Sequence, residues 1–316
     1  MGEIAIETDN LTKYYGEILA VDHISFEVRK SEIFGFLGPN GAGKTTTIRM
    51  LTGLTPPTEG TAKIFGYDVV KETLEAKKRI GIVPETSNVY DDLSAWDNLI
   101  FSGELYGVSR EQREKRAKDL LEMFGLYERR KDKVKGFSKG MKRKLTIAMG
   151  LVNDPELLFL DEPTSGLDVS SARTIKHMIK RLNDQGMTIF LTTHNIEEAN
   201  LICDRVAIIN KGRIAAIDTP EKLKRTIESV QSVVVAFNSS TPKLIEGLRG
   251  LPTVNEVLKQ GDKFRLYTSD PSTVIEELWK FTNKNGLRII SLNTLGPSLE
   301  DVFLVLTEGT LREGKF

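Results

Sequence analysis

Short apolar runs bounded by turn residues recur along the first two thirds of the chain. Ile33-Phe-Gly-Phe-Leu37, Arg79-Ile-Gly-Ile-Val-Pro-Glu85, Leu157-Leu-Phe-Leu-Asp161 and Thr188-Ile-Phe-Leu-Thr-Thr193 read as buried strands. Strict alternation at Ile4 and Ile6, and at Ile24, Phe26 and Val28, predicts strands across residues 3–30, with Tyr14-Tyr15-Gly16 in the turn between them. Thr61–Tyr67 reads as a short strand after the turn Thr55–Gly60, and Val206–Ile217 as a hairpin about Asn210-Lys-Gly-Arg213. Helical spacing at Ile48, Met50 and Leu51, at Leu120, Leu121 and Phe124, and at Ile175, Met178, Ile179 and Leu182 predicts helices after residue 44, over much of 90–155, and over 170–182.

Beyond residue 228 the pattern changes. Ser232–Phe237 reads as strand and Pro242–Leu251 as helix. Val254–Lys259 and Lys263–Thr268 read as a strand pair about Gln260-Gly-Asp262, Pro271–Asn285 as helix and Leu287–Asn293 as strand. The order β-α-β-β-α-β predicts a small ferredoxin-like fold. A last helix starts at Pro297-Ser, with Glu300 and Asp301 in its first turn. Two domains are expected, 1–228 and 229–316.

Composition narrows the class. Lys+Arg and Asp+Glu both number 44, a formal net charge of zero that argues against bulk nucleic-acid binding. The single Cys203 excludes an intrachain disulfide and reads as a small buried apolar residue. No apolar stretch reaches the roughly 18 residues of a spanning helix. The N-terminus, Met-Gly-Glu-Ile-Ala-Ile-Glu, lacks a signal-peptide core. A soluble chain is expected, with any membrane role supplied through a partner.

The chemistry concentrates where strands end. Gly38 to Thr45 fills G-x-x-x-x-G-K-[ST] between a strand and a helix. Gly38, Gly41 and Gly43 allow close backbone approach or φ > 0, so loop N–H groups can converge on phosphate. Lys44 supplies charge to the β- and γ-phosphates, and the Thr45 hydroxyl can ligate Mg²⁺. The strand 157–161 delivers Asp161 and then Glu162, one carboxylate for a metal shell and one to polarise an attacking water. His194 ends the last buried strand, where α/β sheets bind ligands. Arg129 to Lys144 carries nine basic residues against one acidic. With no aromatic ladder beside it, that run reads as a solvated face and not as a nucleic-acid patch.

As a set, the phosphate loop, Phe137-Ser-Lys-Gly-Met141, Leu160-Asp-Glu-Pro-Thr-Ser-Gly-Leu-Asp168 and His194 resemble an ATP-binding cassette (ABC) ATPase over roughly residues 4–225. The resemblance implies a P-loop cassette with a RecA-like core, an antiparallel β subdomain and a helical subdomain. It implies that Tyr15 stacks on adenine and that Gly38, Pro39, Asn40, Gly41, Ala42, Gly43, Lys44, Thr45 and Thr46 hold the phosphates and Mg²⁺. Asp161 then supports the metal, Glu162 is the base, and His194 senses the γ-phosphate. Ser138, Lys139, Gly140 and Met141, with Asp168 in the loop Ser165–Asp168, are implied to complete the site across a head-to-tail dimer.

Two positions depart from the family pattern. The signature Leu-Ser-Gly-Gly-Gln is here Phe-Ser-Lys-Gly-Met, and Glu85 stands where Gln is usual. Glu keeps the oxygen that Gln offers a metal, adds charge and loses a donor, so Glu85 is expected to be a metal ligand. The tail resembles the accessory domain of bacterial and archaeal drug- and antibiotic-export ATPases, though a dimer-stabilising or purely structural appendage fits it equally. The reading is the ATPase subunit of an ABC transporter, an exporter. A second copy and a polytopic permease are its partners, which places it on the cytoplasmic face of the membrane with no nucleic acid expected. The other class considered is a soluble ABC-type ATPase with a nucleic-acid or regulatory role. Ser138 follows Glu85 by only 53 positions, with no sustained heptads between them, which disfavours a chromosome- or repair-type head.

Overall fold

The computed structural model describes residues 3–227, 231–239 and 243–308. Alternating apolar positions form β1 (Ile4–Tyr15) and β2 (Ile18–Arg29), antiparallel about Gly16. Tyr14 and Tyr15, expected in the turn, are the last residues of β1. The fully buried β3 (Ile33–Leu37) feeds the glycine loop and then α1 (Lys44–Leu51). β4 (Glu59–Ile64) pairs with β1, and β5 (Tyr67–Asp68) with β4, giving an antiparallel sheet of order β2-β1-β4-β5. Then come α2 (Thr73–Lys78) and β6 (Ile80–Val83). Three helices follow, α3 (Ala95–Leu105), α4 (Arg110–Met123) and α5 (Lys139–Gly150), in the stretch expected to be helical. Ser94, Ser109 and Ser138 start them, each hydroxyl accepting from the N–H three residues on.

Next along the chain are β7 (Leu157–Asp161), α6 (Val169–Asp184), β8 (Thr188–Thr193), α7 (Ile196–Ile202), β9 (Arg205–Asn210) and β10 (Arg213–Asp218). The second sheet has the order β10-β9-β3-β8-β7-β6, with only β10 antiparallel to its neighbour. Strands covered on both faces carry continuous apolar stretches, as in Ile33–Leu37 of β3, Leu157–Leu160 of β7 and Ile189–Leu191 of β8, and every residue of the three is buried. Strand β8 lies between β3 and β7, pairing Leu37 with Thr193 and Asp161 with Thr192. The C-terminal ends of β3, β8 and β7 therefore sit side by side at roughly 4.8 Å spacing.

Phenylalanines join the two sheets. Phe26 of β2 stacks on Phe34 at 5.6 Å and on Phe190 at 6.1 Å, and Phe159 meets Phe190 at 5.4 Å. Each buried ring contributes about 1.5–3 kcal/mol through burial alone. Gly35 is needed where β3 meets Cys203, because a Cβ there would lie 2.6 Å from Sγ. Cys203 is thus a packing residue, and burial raises its thiol pKa well above the usual value. These layers form the α/β cassette, with a largely parallel core, an antiparallel β subdomain and a helical subdomain.

The chain divides into compact units at 1–219 and 220–316. The boundary expected at 228/229 lies outside the described residues. The second unit contains α8 (Pro220–Arg225), β11 (Gln231–Phe237), α9 (Lys243–Arg249), β12 (Val254–Gln260), β13 (Lys263–Thr268), α10 (Pro271–Asn285), β14 (Ile289–Leu295) and α11 (Leu299–Glu308). Its sheet runs β12-β13-β11-β14, all antiparallel, which is the ferredoxin-like arrangement for β-α-β-β-α-β. Val233, Val235, Phe264 and Leu266 form one apolar face with Leu248, Val274 and Leu278 of α9 and α10.

A buried polar cluster ties α11 to β11 and β13. Asp301 accepts from Arg265 Nη2 at 2.9 Å, Tyr267 Oη at 2.9 Å and Ser298 N at 2.8 Å, while Arg265 Nε donates to Ser232 Oγ at 3.0 Å. Removing one partner of a buried ion pair strands the other charge. Asp301→Ala should therefore destabilise the second unit by about 3–5 kcal/mol. Amide exchange in β11 and β13 would accelerate sharply while the exchange of β3 and β8 stays put. Unchanged protection in β11 and β13 would show that the cluster does not hold the unit.

Candidate functional site

The loop after β3 takes its shape from glycines. Gly41 has φ 79° and Gly43, the N-cap of α1, has φ 105°. A Cβ at Gly43 would sit 2.6 Å from Ala20 O, and one at Gly38 2.5 Å from Ile209 O. No side chain caps α1, so its first-turn N–H groups face the loop with the positive end of the helix. Lys44 is buried, with Nζ donating to Gly38 O at 2.7 Å and Pro39 O at 3.1 Å. Thr45 Oγ1 donates to Asp161 Oδ2 at 3.0 Å.

The two carboxylates are buried at the end of β7. Asp161 Oδ1 accepts from Thr192 Oγ1 of β8, so hydroxyls from α1 and β8 hold both its oxygens. Glu162 has a left-handed backbone, φ 47°, and its N–H donates to Thr192 O and Oγ1, both at 3.1 Å. Its Oε2 lies 2.9 Å from His194 Nδ1; a carboxylate only accepts, so Nδ1 carries the hydrogen. Its Oε1 is buried without a hydrogen-bond donor. Lys44 Nζ stands 3.3 Å from that oxygen, an ion pair lacking hydrogen-bond geometry.

A cavity of about 270 Å³ at these ends is lined by Ala20, Asn40, Gly41, Gly43, Lys44, Thr45, Thr46, Glu85 and Glu162. The structure thus brings together most of the loop, Glu85 and Glu162 in one wall. Glu85 is exposed, and its main-chain oxygen accepts from Arg143 Nη1 at 3.0 Å.

Tyr15 is not among the lining residues. It is 43 % exposed at the end of β1, with Lys13 Nζ 5.4 Å from its ring centre. Ser138, Lys139, Gly140 and Met141 also lie outside this cavity's lining. Ser138 caps α5 through Met141 N at 3.2 Å. Gly140 is buried where a Cβ would meet Ser171 Oγ at 2.5 Å. Asp168 caps α6, accepting from Ser171 N at 2.9 Å and Oγ at 2.7 Å, and these bonds hold its carboxyl below the usual range.

Sequence reasoning missed three contributors. Thr192 anchors both carboxylate residues, and Glu198 of α7 accepts from Thr164 Oγ1 at 2.8 Å with its carboxyl pushed up by burial. Arg143 corrects the reading of the basic run as a solvated face, since it is only 3 % exposed. Burial lowers its guanidinium to about 10, against the raising effect of Asp161, Glu198, Glu85 and Glu162, so it stays charged at neutral pH. The signal was available, because Arg143 shares a face of α5 with Gly140 and Ile147.

Comparison with known proteins agrees with this geometry. Residues 21–165 match the family described as ABC transporter. The chain is 39% identical over 310 residues to the linearmycin resistance ATP-binding protein LnrL of Bacillus subtilis (strain 168), covering 98% of this chain and 100% of that one. It is 37% identical over 311 residues to the Nod factor export ATP-binding protein I of Sinorhizobium fredii, covering 98% and 88%. Among solved structures, an ATP-binding subunit of an ABC transporter superposes with TM-score 0.64 at 31% identity, over 70% of this chain and 92% of that one. A dimeric ATP-binding cassette in a post-hydrolysis state with ADP and Pi superposes with TM-score 0.62 at 27% identity, over 68% and 98%. With the glycine loop and Glu162 in one cavity wall, Asp161 bonded to Thr45 and His194 bonded to Glu162, the chain belongs to the family of ABC transporter ATP-binding subunits, the transport-coupled ATPases.

Proposed function

We propose that this chain binds ATP at the cavity beside α1, hydrolyses it with Glu162 as general base, and drives export through a separate membrane permease. One observation carries the catalytic assignment. Glu162 is buried with Oε2 held by His194, while Oε1 has no hydrogen-bond donor and faces Lys44. A carboxylate fixed at one oxygen and free to accept at the other is suited to take a proton from water. Lys44 already neutralises the charge and is positioned to exchange its carbonyl partners for phosphate oxygens. His194 keeps the base oriented and, at 51% side-chain exposure, can respond to a γ-phosphate.

The metal assignment rests on oxygen chemistry. Thr45 and Glu85 line the same cavity, and Asp161 Oδ2 accepts from Thr45 Oγ1, a donor set that fits a hard cation completed by waters and phosphate. Mg²⁺ bound by Thr45, Asp161 and Glu85 would neutralise charge on the β- and γ-phosphates. Tyr15 is the proposed adenine platform. Ser138 to Met141 and Asp168, lying outside the cavity's lining, are proposed to serve the nucleotide of a second copy.

No described helix is long and apolar enough to cross a membrane, so the permease is proposed as a distinct chain. Its proposed seat is a groove of about 260 Å³ on the helical subdomain, lined in part by Tyr90, Phe101, Leu105 and Tyr106. Export follows the resistance and export functions in the names of the relatives, and cytoplasmic-face localisation follows from that partnership.

Two variants test the catalytic site. Glu162→Gln should retain ATP binding and lose turnover by about 10²-fold or more, the contribution of a positioned base. Near-parental turnover would remove Glu162 from that role. In the loop, Gly43→Ala should abolish ATP binding, since its Cβ meets Ala20 O at 2.6 Å on a backbone of φ 105°. Gly41→Ala meets nothing within 4 Å and should cost only the left-handed strain, about 1–2 kcal/mol. Titration with a fluorescent ATP analogue would separate the two. Equal losses would mean that the loop does not cradle phosphate as proposed.

A further inference from the structure

Arg143 spends its whole hydrogen-bonding capacity on main-chain oxygens of two loops. Nε donates to Pro163 O at 2.9 Å, Nη1 to Pro84 O and to Glu85 O at 3.0 Å, and Nη2 to Asp161 O at 2.9 Å and Glu162 O at 3.2 Å. Guanidinium has five N–H donors, and five carbonyls receive them. A group serving only to fill space would not need a charge at 3 % exposure.

The positions of those carbonyls matter more than their number. Asp161 O belongs to the peptide plane before Glu162, and Glu162 O to the plane after it. One nitrogen, Nη2, binds both, while Thr192 holds the intervening N–H. The dihedrals of Glu162 are thereby fixed in a left-handed conformation, φ 47°, that a residue with a long side chain adopts only when its surroundings impose it. The direction of the carboxylate follows from that backbone. Nη1 applies the same constraint to the loop carrying Glu85.

We propose that Arg143 is a positioning residue that holds Glu162 in its hydrolytic orientation and locks it to the Glu85 loop and to α5. The inference rests on the reading of Glu162 as the base. Ser138 caps the same helix five residues earlier, so a displacement of α5 is passed through one rigid side chain to both loops. Lysine cannot substitute, because a single ammonium with three donors cannot span the five carbonyls.

The test uses the full chain with ATP and Mg²⁺, comparing Arg143→Lys and Arg143→Gln with the parent, alone and combined with Glu162→Gln. Both Arg143 variants should keep ATP affinity within about 3-fold and lose kcat by about 10- to 100-fold, the scale of a displaced catalytic group. Added to Glu162→Gln, Arg143→Lys should cause little further loss, because it acts through a group already removed. Parental kcat in Arg143→Lys would overturn the proposal while leaving the base assignment intact. Parallel loss of ATP affinity and kcat in both variants, by unfolding or otherwise, would overturn it by making Arg143 a fold residue. Losses that multiply in the double variant would also overturn it. Near-parental turnover of Glu162→Gln alone would instead remove the base reading on which the inference rests.

Discussion

Charge taken out of water must be compensated inside the protein, and this requirement organises the first unit. Lys44 is met by two loop carbonyls and a carboxylate, Asp161 by two hydroxyls, and Arg143 by five carbonyls. These partners come from α1, β7, β8 and the loops after β3, β6 and β7. The compensation is possible because β8 lies between β3 and β7 and brings Thr192 to the carboxylate of Asp161 and His194 to that of Glu162. Against that background, the undonated Oε1 of Glu162 is a local exception, and it stands at the phosphate loop.

The chemical residues were legible in the sequence because each is tied to its neighbours along the chain. The glycine loop, Lys44 and Thr45 are contiguous, and Asp161 and Glu162 end an apolar run. Their arrangement was less legible. Nothing in the runs 33–37, 157–161 and 188–193 states which strand lies in the middle, since all three are buried along their whole length. Arg143 was hidden inside a basic run whose average is exposed, although its helical register marked it as inward. The left-handed backbone of Glu162 was also hidden, because a glutamate carries no conformational signal comparable to the glycines at 41 and 43.

Some residues carry a structural duty that the family resemblance alone would not reveal. Ser138 and Asp168 cap α5 and α6, and Gly140 is demanded by the approach of Ser171. These duties set where the helix ends stand, so they are compatible with a second duty toward another copy's nucleotide. In the second unit, alternation and turn residues were enough to anticipate the strand and helix order from β11 onward, but not α8. The Arg265–Asp301 cluster was not anticipated, because it joins positions 36 apart on a strand and a helix.

Glu162 is proposed to offer water the one carboxylate oxygen that no protein donor occupies, while His194, Thr192 and Arg143 fix the rest of the residue. A high-resolution structure of the chain with Mg²⁺ and a non-hydrolysable ATP analogue tests this most directly. The account predicts an ordered water about 2.6–3.2 Å from Glu162 Oε1, in line with the γ-phosphate. Glu162 Oε2 should still be bonded to His194 or to the phosphate-facing water network. A structure in which Oε1 accepts from a protein donor and no water stands between it and the γ-phosphate would contradict it.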